Sequence, residues 1–191
     1  MDTLFNRVVR AAMLDVEFFK QAESDISLNQ EALIVVILVS LAGGIGGFIG
    51  GLTGGGFGSA LLALIVALII GVLNYYIWAY VTYFVGTQLF KADVDPGELL
   101  RVLGYASGPQ VLSILRFIPC IGALISLAGS IWALVAGFIG TREALDLDTT
   151  KTLVTVVIGW VIVTVIGLIV LSILGVGGLA LGAAGSLLRG R

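Results

Sequence analysis

Histidine is missing from this chain, and cysteine occurs once, at Cys120. The first absence removes the commonest metal ligand and the commonest general base. The second excludes an intrachain disulfide and a zinc site built from cysteines. Charge is scarce too: 12% of the 191 residues are Asp, Glu, Lys or Arg, against about 25% in a soluble domain. The net charge of −2 offers no basic surface for nucleic acid. What fills the chain instead is apolar, 59% hydrophobic residues with 27 glycines. Nothing between Glu31 and Lys91 is charged, and nothing between Lys151 and Arg189. A helix needs about 20 apolar residues to cross a hydrocarbon core of about 30 Å. Both runs meet that length, and the first has room for two crossings. Asp2, Asp15, Glu17, Glu23, Asp25 and Glu31 precede the first apolar run, which is not the pattern of a secretory leader.

These features predict an all-α polytopic membrane protein, a five-helix bundle with a short N-terminal amphipathic helix. Residues 1–30 form the cytoplasmic, interfacial segment, and residues 31–191 the membrane domain. In TLFNRVVRAAMLDVEFFK (3–20), Phe5, Val9, Ala12, Met13, Val16 and Phe19 fall near one helical face. Such a helix lies in the membrane interface or docks on the bundle. Spans are expected at about 32–53, 60–84, 99–117, 118–140 and 152–173. The second ends in Tyr75, Tyr76, Trp78, Tyr80, Tyr83 and Phe84, aromatics that favour the headgroup level. Asp95-Pro96-Gly97-Glu98 reads as a helix start. Pro109 removes a backbone donor within the third span and should kink it. Residues 174–191 either extend the last helix or leave it. With five crossings, Arg7, Arg10, Lys20, Lys91, Arg101, Arg142 and Lys151 share one side, and Arg116, Arg189 and Arg191 the other. Positive residues collect inside, so the N-terminus is expected in the cytoplasm and the C-terminus outside.

The run AGGIGGFIGGLTGGGFGS (42–59) carries the densest glycine. A phosphate loop sets its glycines between a strand and a helix, often with a lysine; no Lys or Arg follows here before Lys91. Gly43, Gly47 and Gly51 recur every four residues, as do Gly46 and Gly50. On a helix each set is a ridge without side chains, which lets membrane helices approach backbone to backbone. The alternative is a loose glycine-rich helix with no fixed partner. Residues 53–59, TGGGFGS, read as the turn into the second span. Asn74, Thr82, Gln88, Ser107 and Gln110 are the polar residues available for bonds between helices. No buried carboxylate pair or nucleophile with a base is present, so no catalytic residue, cofactor or metal is expected. Arg101, Arg116 and Arg142 sit at span ends as candidate contacts to lipid headgroups. Cys120 reads as a small buried hydrophobe.

GYASGP (104–109), IPCIG (118–122), IWALVAGFIGTREAL (131–145) and DLDTTK (146–151) occur in that order. With RAAMLDVEFFKQAESD (10–25) and the glycine-rich first span, they resemble the Yip-one domain family, the Ypt/Rab-interacting membrane proteins and their prokaryotic relatives. The resemblance makes Gly104, Tyr105, Gly108 and Pro109 motif residues. It implies five membrane helices, a cytoplasmic N-terminus and an outward C-terminus. Eukaryotic relatives act in vesicle traffic and bind small GTPases. This chain has only residues 1–30 before its first span, where they carry a long cytosolic region. The expected role is non-enzymatic: an organiser, assembly factor or accessory subunit of a membrane complex, in a prokaryotic cytoplasmic membrane. The expected partners are membrane lipids and other membrane proteins or a second copy, with no nucleic acid. Two alternatives are a transporter or channel for a lipid, quinone or other apolar solute, and a membrane-shaping protein of the trafficking type.

Overall fold

The computed structural model describes residues 3–54, 56–118 and 121–173. Among them every regular element is helical. Helix α1 (Leu4–Ala12) starts where the Thr3 hydroxyl accepts from the Asn6 N–H at 3.4 Å. Leu14, at φ 61°, turns the chain into α2 (Val16–Ser24). The Asp15 carboxylate caps that helix, accepting from the N–H groups of Glu17 and Phe18 at 3.0 and 3.3 Å, two donors that would otherwise be orphaned. Asp25 caps a 3-10 turn, Ile26–Leu28, which leads into α3 (Asn29–Gly54). Helix α4 (Gly56–Phe90) returns, and Gly56 at φ +79° adopts the left-handed conformation that the reversal requires. Helix α5 (Pro96–Ala106) begins as its sequence suggests, with Pro96 first and the Asp95 N–H donating to Glu98 Oε2 at 3.0 Å. A 3-10 segment, Gly108–Phe117, then precedes α6 (Ile121–Ala144) and α7 (Thr149–Ile173).

Four helices are long and apolar enough to cross a membrane, over Ile26–Ile49, Gly56–Phe90, Ile121–Ala144 and Thr149–Ile169. The remaining expected crossing, 99–117, is not one helix. The α-helical part ends at Ala106 and the chain goes on as 3-10. The cause is local. Pro109 has no N–H to donate, and the Ser107 hydroxyl donates to the Gly104 carbonyl at 2.6 Å, within the last turn.

This broken segment still runs beside α3, because Gly104 meets Ala32, Gly43 meets Ser113, and Gly46 meets Arg116. Helix α6 runs the opposite way along it: Gly140 meets Val102, Gly129 meets Leu112, and Gly122 meets Leu115. Helix α5 is the centre of the packing and touches α1, α2, α3, α4 and α6. Around its own buried Val102 and Tyr105 lie Ala11, Phe18, Phe19, Ala22 and Leu28, all buried. Each fully buried large side chain contributes about 1.5–3 kcal/mol of transfer free energy. The N-terminal segment therefore belongs to the core.

Gly104 and Gly47 separate packed from open glycine. A Cβ on Gly104 would lie 2.8 Å from the Ala32 Cβ and 2.9 Å from its carbonyl oxygen, while one on Gly47 meets nothing within 4 Å. Overpacking costs about 1–3 kcal/mol, whereas Gly to Ala on an open helical face gains up to about 1 kcal/mol. Thermal unfolding in detergent should therefore drop clearly for Gly104→Ala and hold or rise for Gly47→Ala. Equal behaviour of the two would contradict the packing of α5 on α3.

Candidate functional site

At the α3 N-terminus, polar groups from four elements converge on α5. Arg7 of α1 donates through Nη1 to Glu31 Oε2 at 2.6 Å. The Tyr105 hydroxyl donates to the same oxygen at 2.9 Å. The Phe18 ring meets Tyr105 edge-on, with centroids 5.0 Å apart at 89°, a favoured aromatic geometry. Arg10 donates from Nε to Asp15 Oδ2 at 2.7 Å and lies 5.4 Å over the Phe18 ring, adding a cation–π contact.

Arg101 is the deepest cation described, 5% exposed. Its Nε donates to the Ala22 carbonyl at 2.8 Å, its Nη1 to Asn29 Oδ1 at 3.1 Å, and its Nη2 to the Glu23 carbonyl. Ala22 and Glu23 lie in the last turn of α2, where carbonyls lack helical partners and the helix dipole favours a cation. Two further bonds bind neighbouring elements: Trp132 Nε1 donates to the Ala12 carbonyl at 2.6 Å, and the Tyr75 hydroxyl to the Leu100 carbonyl at 2.7 Å. The whole is a latch holding α1 and α2 against α3, α5 and α6.

The electrostatics of the latch pull two carboxyls in opposite directions. The Arg10 guanidinium hydrogen-bonded to Asp15 holds that carboxyl below the usual range, with help from the Phe18 and Glu17 N–H groups. Glu23 is pushed above it, first by burial and then by the carboxylates of Glu98, Asp146 and Glu143; Arg101 offsets part of this. No group of three His, Cys, Asp or Glu among the described residues could hold a metal ion. The arrangement can join elements and respond to charge.

The residues singled out in the sequence disperse over the fold. Gly43 and Gly46 face the 3-10 segment, with Ser113 Oγ 3.3 Å from a Cβ on Gly43 and Arg116 Cβ 3.4 Å from one on Gly46. Gly47 points outward, and the surroundings of Gly50 and Gly51 lie outside the described residues. The tight approach to α4 is made by Gly44, whose added Cβ would sit 2.8 Å from Leu64 Cδ1. Gly104 and Tyr105 sit in the core beside α3. Gly108 meets Val8 of α1, and the Pro109 carbonyl lies against Gly129 of α6. Arg101, expected at the headgroups, donates to three acceptors within the fold. Arg142 pairs with Glu143 at 2.7 Å, and Arg116 is exposed near the other end of α3. Cys120 lies outside the described residues. Sequence reasoning missed Trp132 and the Arg7–Glu31–Tyr105 cluster. One signal was present: Glu31 is the last charge before the long apolar run, and a carboxylate there needs a partner.

A helical bundle with four membrane-length apolar helices, closed at one end by a docked amphipathic segment, defines a polytopic integral membrane protein. The chain belongs to the Yip1 domain family, which it matches over residues 15–185. The match takes in α2, α5 and the GYASGP motif, and begins after α1. No curated protein and no solved structure matches the chain.

The raised Glu23 carboxyl has a signed consequence. Its charged form is the disfavoured one in the fold, so the penalty is absent below the ordinary value of about 4.3 and grows as pH rises toward the raised folded value. Glu23→Gln should therefore melt higher than the parent at pH 7 and match it at pH 4. A lower melting temperature at pH 7 would show that the carboxylate is stabilising, contrary to its position among Glu98, Asp146 and Glu143.

Proposed function

We propose that this Yip1-family protein is a non-enzymatic organiser or accessory subunit that binds other membrane proteins through its outer helix faces. One observation carries the reading: part of its bare backbone faces outward. Gly47 on α3 and Gly167 on α7 are exposed, and a Cβ on either would meet nothing within 4 Å. Apolar surfaces gain no hydrophobic energy by meeting in lipid, so helices associate there by close packing, which small residues permit. Gly43, Gly44 and Gly46 serve that purpose within the chain; Gly47 and Gly167 are open to a second helix. The asymmetry of Arg and Lys favours the N-terminal side in the cytoplasm. Arg116 and Arg142, at span ends, are the proposed contacts to lipid headgroups.

A second reading has its own support. Residues of α6 and α7, among them Leu134, Val135, Phe138, Leu153, Val156 and Trp160, line an apolar groove of about 320 Å³. Such a groove suits the apolar tail of a lipid or quinone, the cargo of a carrier.

Native purification in mild detergent separates the two. The leading reading expects a protein partner in fixed ratio, lost from Gly47→Ile or Gly167→Ile while the melting temperature holds. A chain that purifies alone with a stoichiometric extractable lipid or quinone would overturn it in favour of the carrier.

A further inference from the structure

Helix α1 is oriented against the usual sense for a protein surface. Its cations point inward: Arg7 to Glu31 and Arg10 to Asp15 and Phe18, with side chains 19% and 33% exposed. Leu4, Val8 and Ala11 pack inward beside them, yet a second apolar stripe points outward, with Phe5 73% and Met13 74% exposed and Val9 between them. Phe5 and Val9 of the helix and Met13 at its C-cap are spaced by four, so they follow one line. A helix facing water presents the opposite pattern.

Its position explains the reversal. Trp132 Nε1 donates to the Ala12 carbonyl, and Val8 lies against Gly108. Trp132 belongs to the uncharged stretch of α6 and is about 15 Å along the helix from Arg142, the nearest charge on α6, at about 1.5 Å per residue. Around it on α6, Leu124, Leu127, Ile131, Leu134 and Val135 are exposed. The outer stripe of α1 therefore continues an apolar surface already belonging to a membrane-length helix.

We propose that α1 is immersed among the acyl chains of one leaflet, with Phe5, Val9 and Met13 contacting lipid and its cations neutralised inside the protein. An interfacial helix keeps its cations in the headgroups and water. This one has exchanged that contact for Glu31, Tyr105 and Asp15, which lets it sit deeper. Burying a charge is tolerable only when it is paired; Arg7 is paired with Glu31 through Nη1, its buried Nε having no hydrogen-bond partner, and Arg10 is paired with Asp15. The proposal is independent of partner binding, which concerns α3 and α7.

The test uses the full chain with Cys120→Ser and single cysteines at Phe5→Cys, Met13→Cys or, as an aqueous control, Lys20→Cys. Each is labelled with a polarity-sensitive fluorophore and reconstituted in phosphatidylcholine vesicles. Thermal unfolding confirms that each labelled chain is folded. Labels at positions 5 and 13 should emit blue-shifted and lose intensity to a phospholipid with a nitroxide in mid-chain, with little loss to aqueous iodide. The label at position 20 should do the reverse. Iodide quenching at 5 and 13 comparable to 20 would overturn the proposal by placing α1 in water. Shielding from both quenchers would overturn it by showing a protein cover, from a second copy or a partner.

Discussion

A buried guanidinium must find acceptors, and Arg101 finds them in the last turn of α2. Much of the rest follows from that requirement. Leaving Arg101 unpaired in an apolar centre would be prohibitive, so α2 has to close over α5. Once it does, Phe18 and Phe19 are driven into the core, Phe18 against Tyr105 and Phe19 against Gly140. Tyr105 then reaches Glu31, Glu31 reaches Arg7, and α1 is drawn in as well. A chain of polar contacts orders an N-terminal segment whose amphipathicity fitted either the membrane interface or the bundle.

Two kinds of packing meet in this molecule. Around α5, large side chains interlock as in a soluble core. Along α3, α4 and the 3-10 segment, contact depends on the absence of side chains: Gly44 admits Leu64, and Gly71 admits Ser40. The second kind suits a lipid solvent, in which close approach replaces hydrophobic burial as the source of attraction. The change from one to the other falls at Ser107–Pro109, where α-helix gives way to 3-10. Partners are proposed on the side where close approach is still open.

The class of fold was legible in the sequence because charge-free runs of membrane length report hydropathy directly, and Asp95-Pro96-Gly97-Glu98 marked the start of α5 through its capping chemistry. The GYASGP motif signalled a disturbance at Pro109, but a kink and a change to 3-10 follow from the same missing donor. The glycine ridges were visible as a period of four. Which ridge faces which neighbour was not, because Gly44 and Gly47 differ only in what the tertiary fold brings to them. The latch was hidden for the same reason. Arg101 lies more than seventy residues from all three of its acceptors, and its place at a span end pointed to headgroups. Nothing local distinguishes a snorkelling arginine from one that caps a distant helix.

The central claim is that the N-terminal segment is folded into the bundle through Arg101. Hydrogen exchange of the α2 amides in detergent micelles tests it most directly. Amides within Val16–Ser24 should exchange as slowly as those of α5, and Arg101→Met should release α2 while α4 stays protected. Exchange of α2 at the rate of a free peptide in the parent protein would contradict the account.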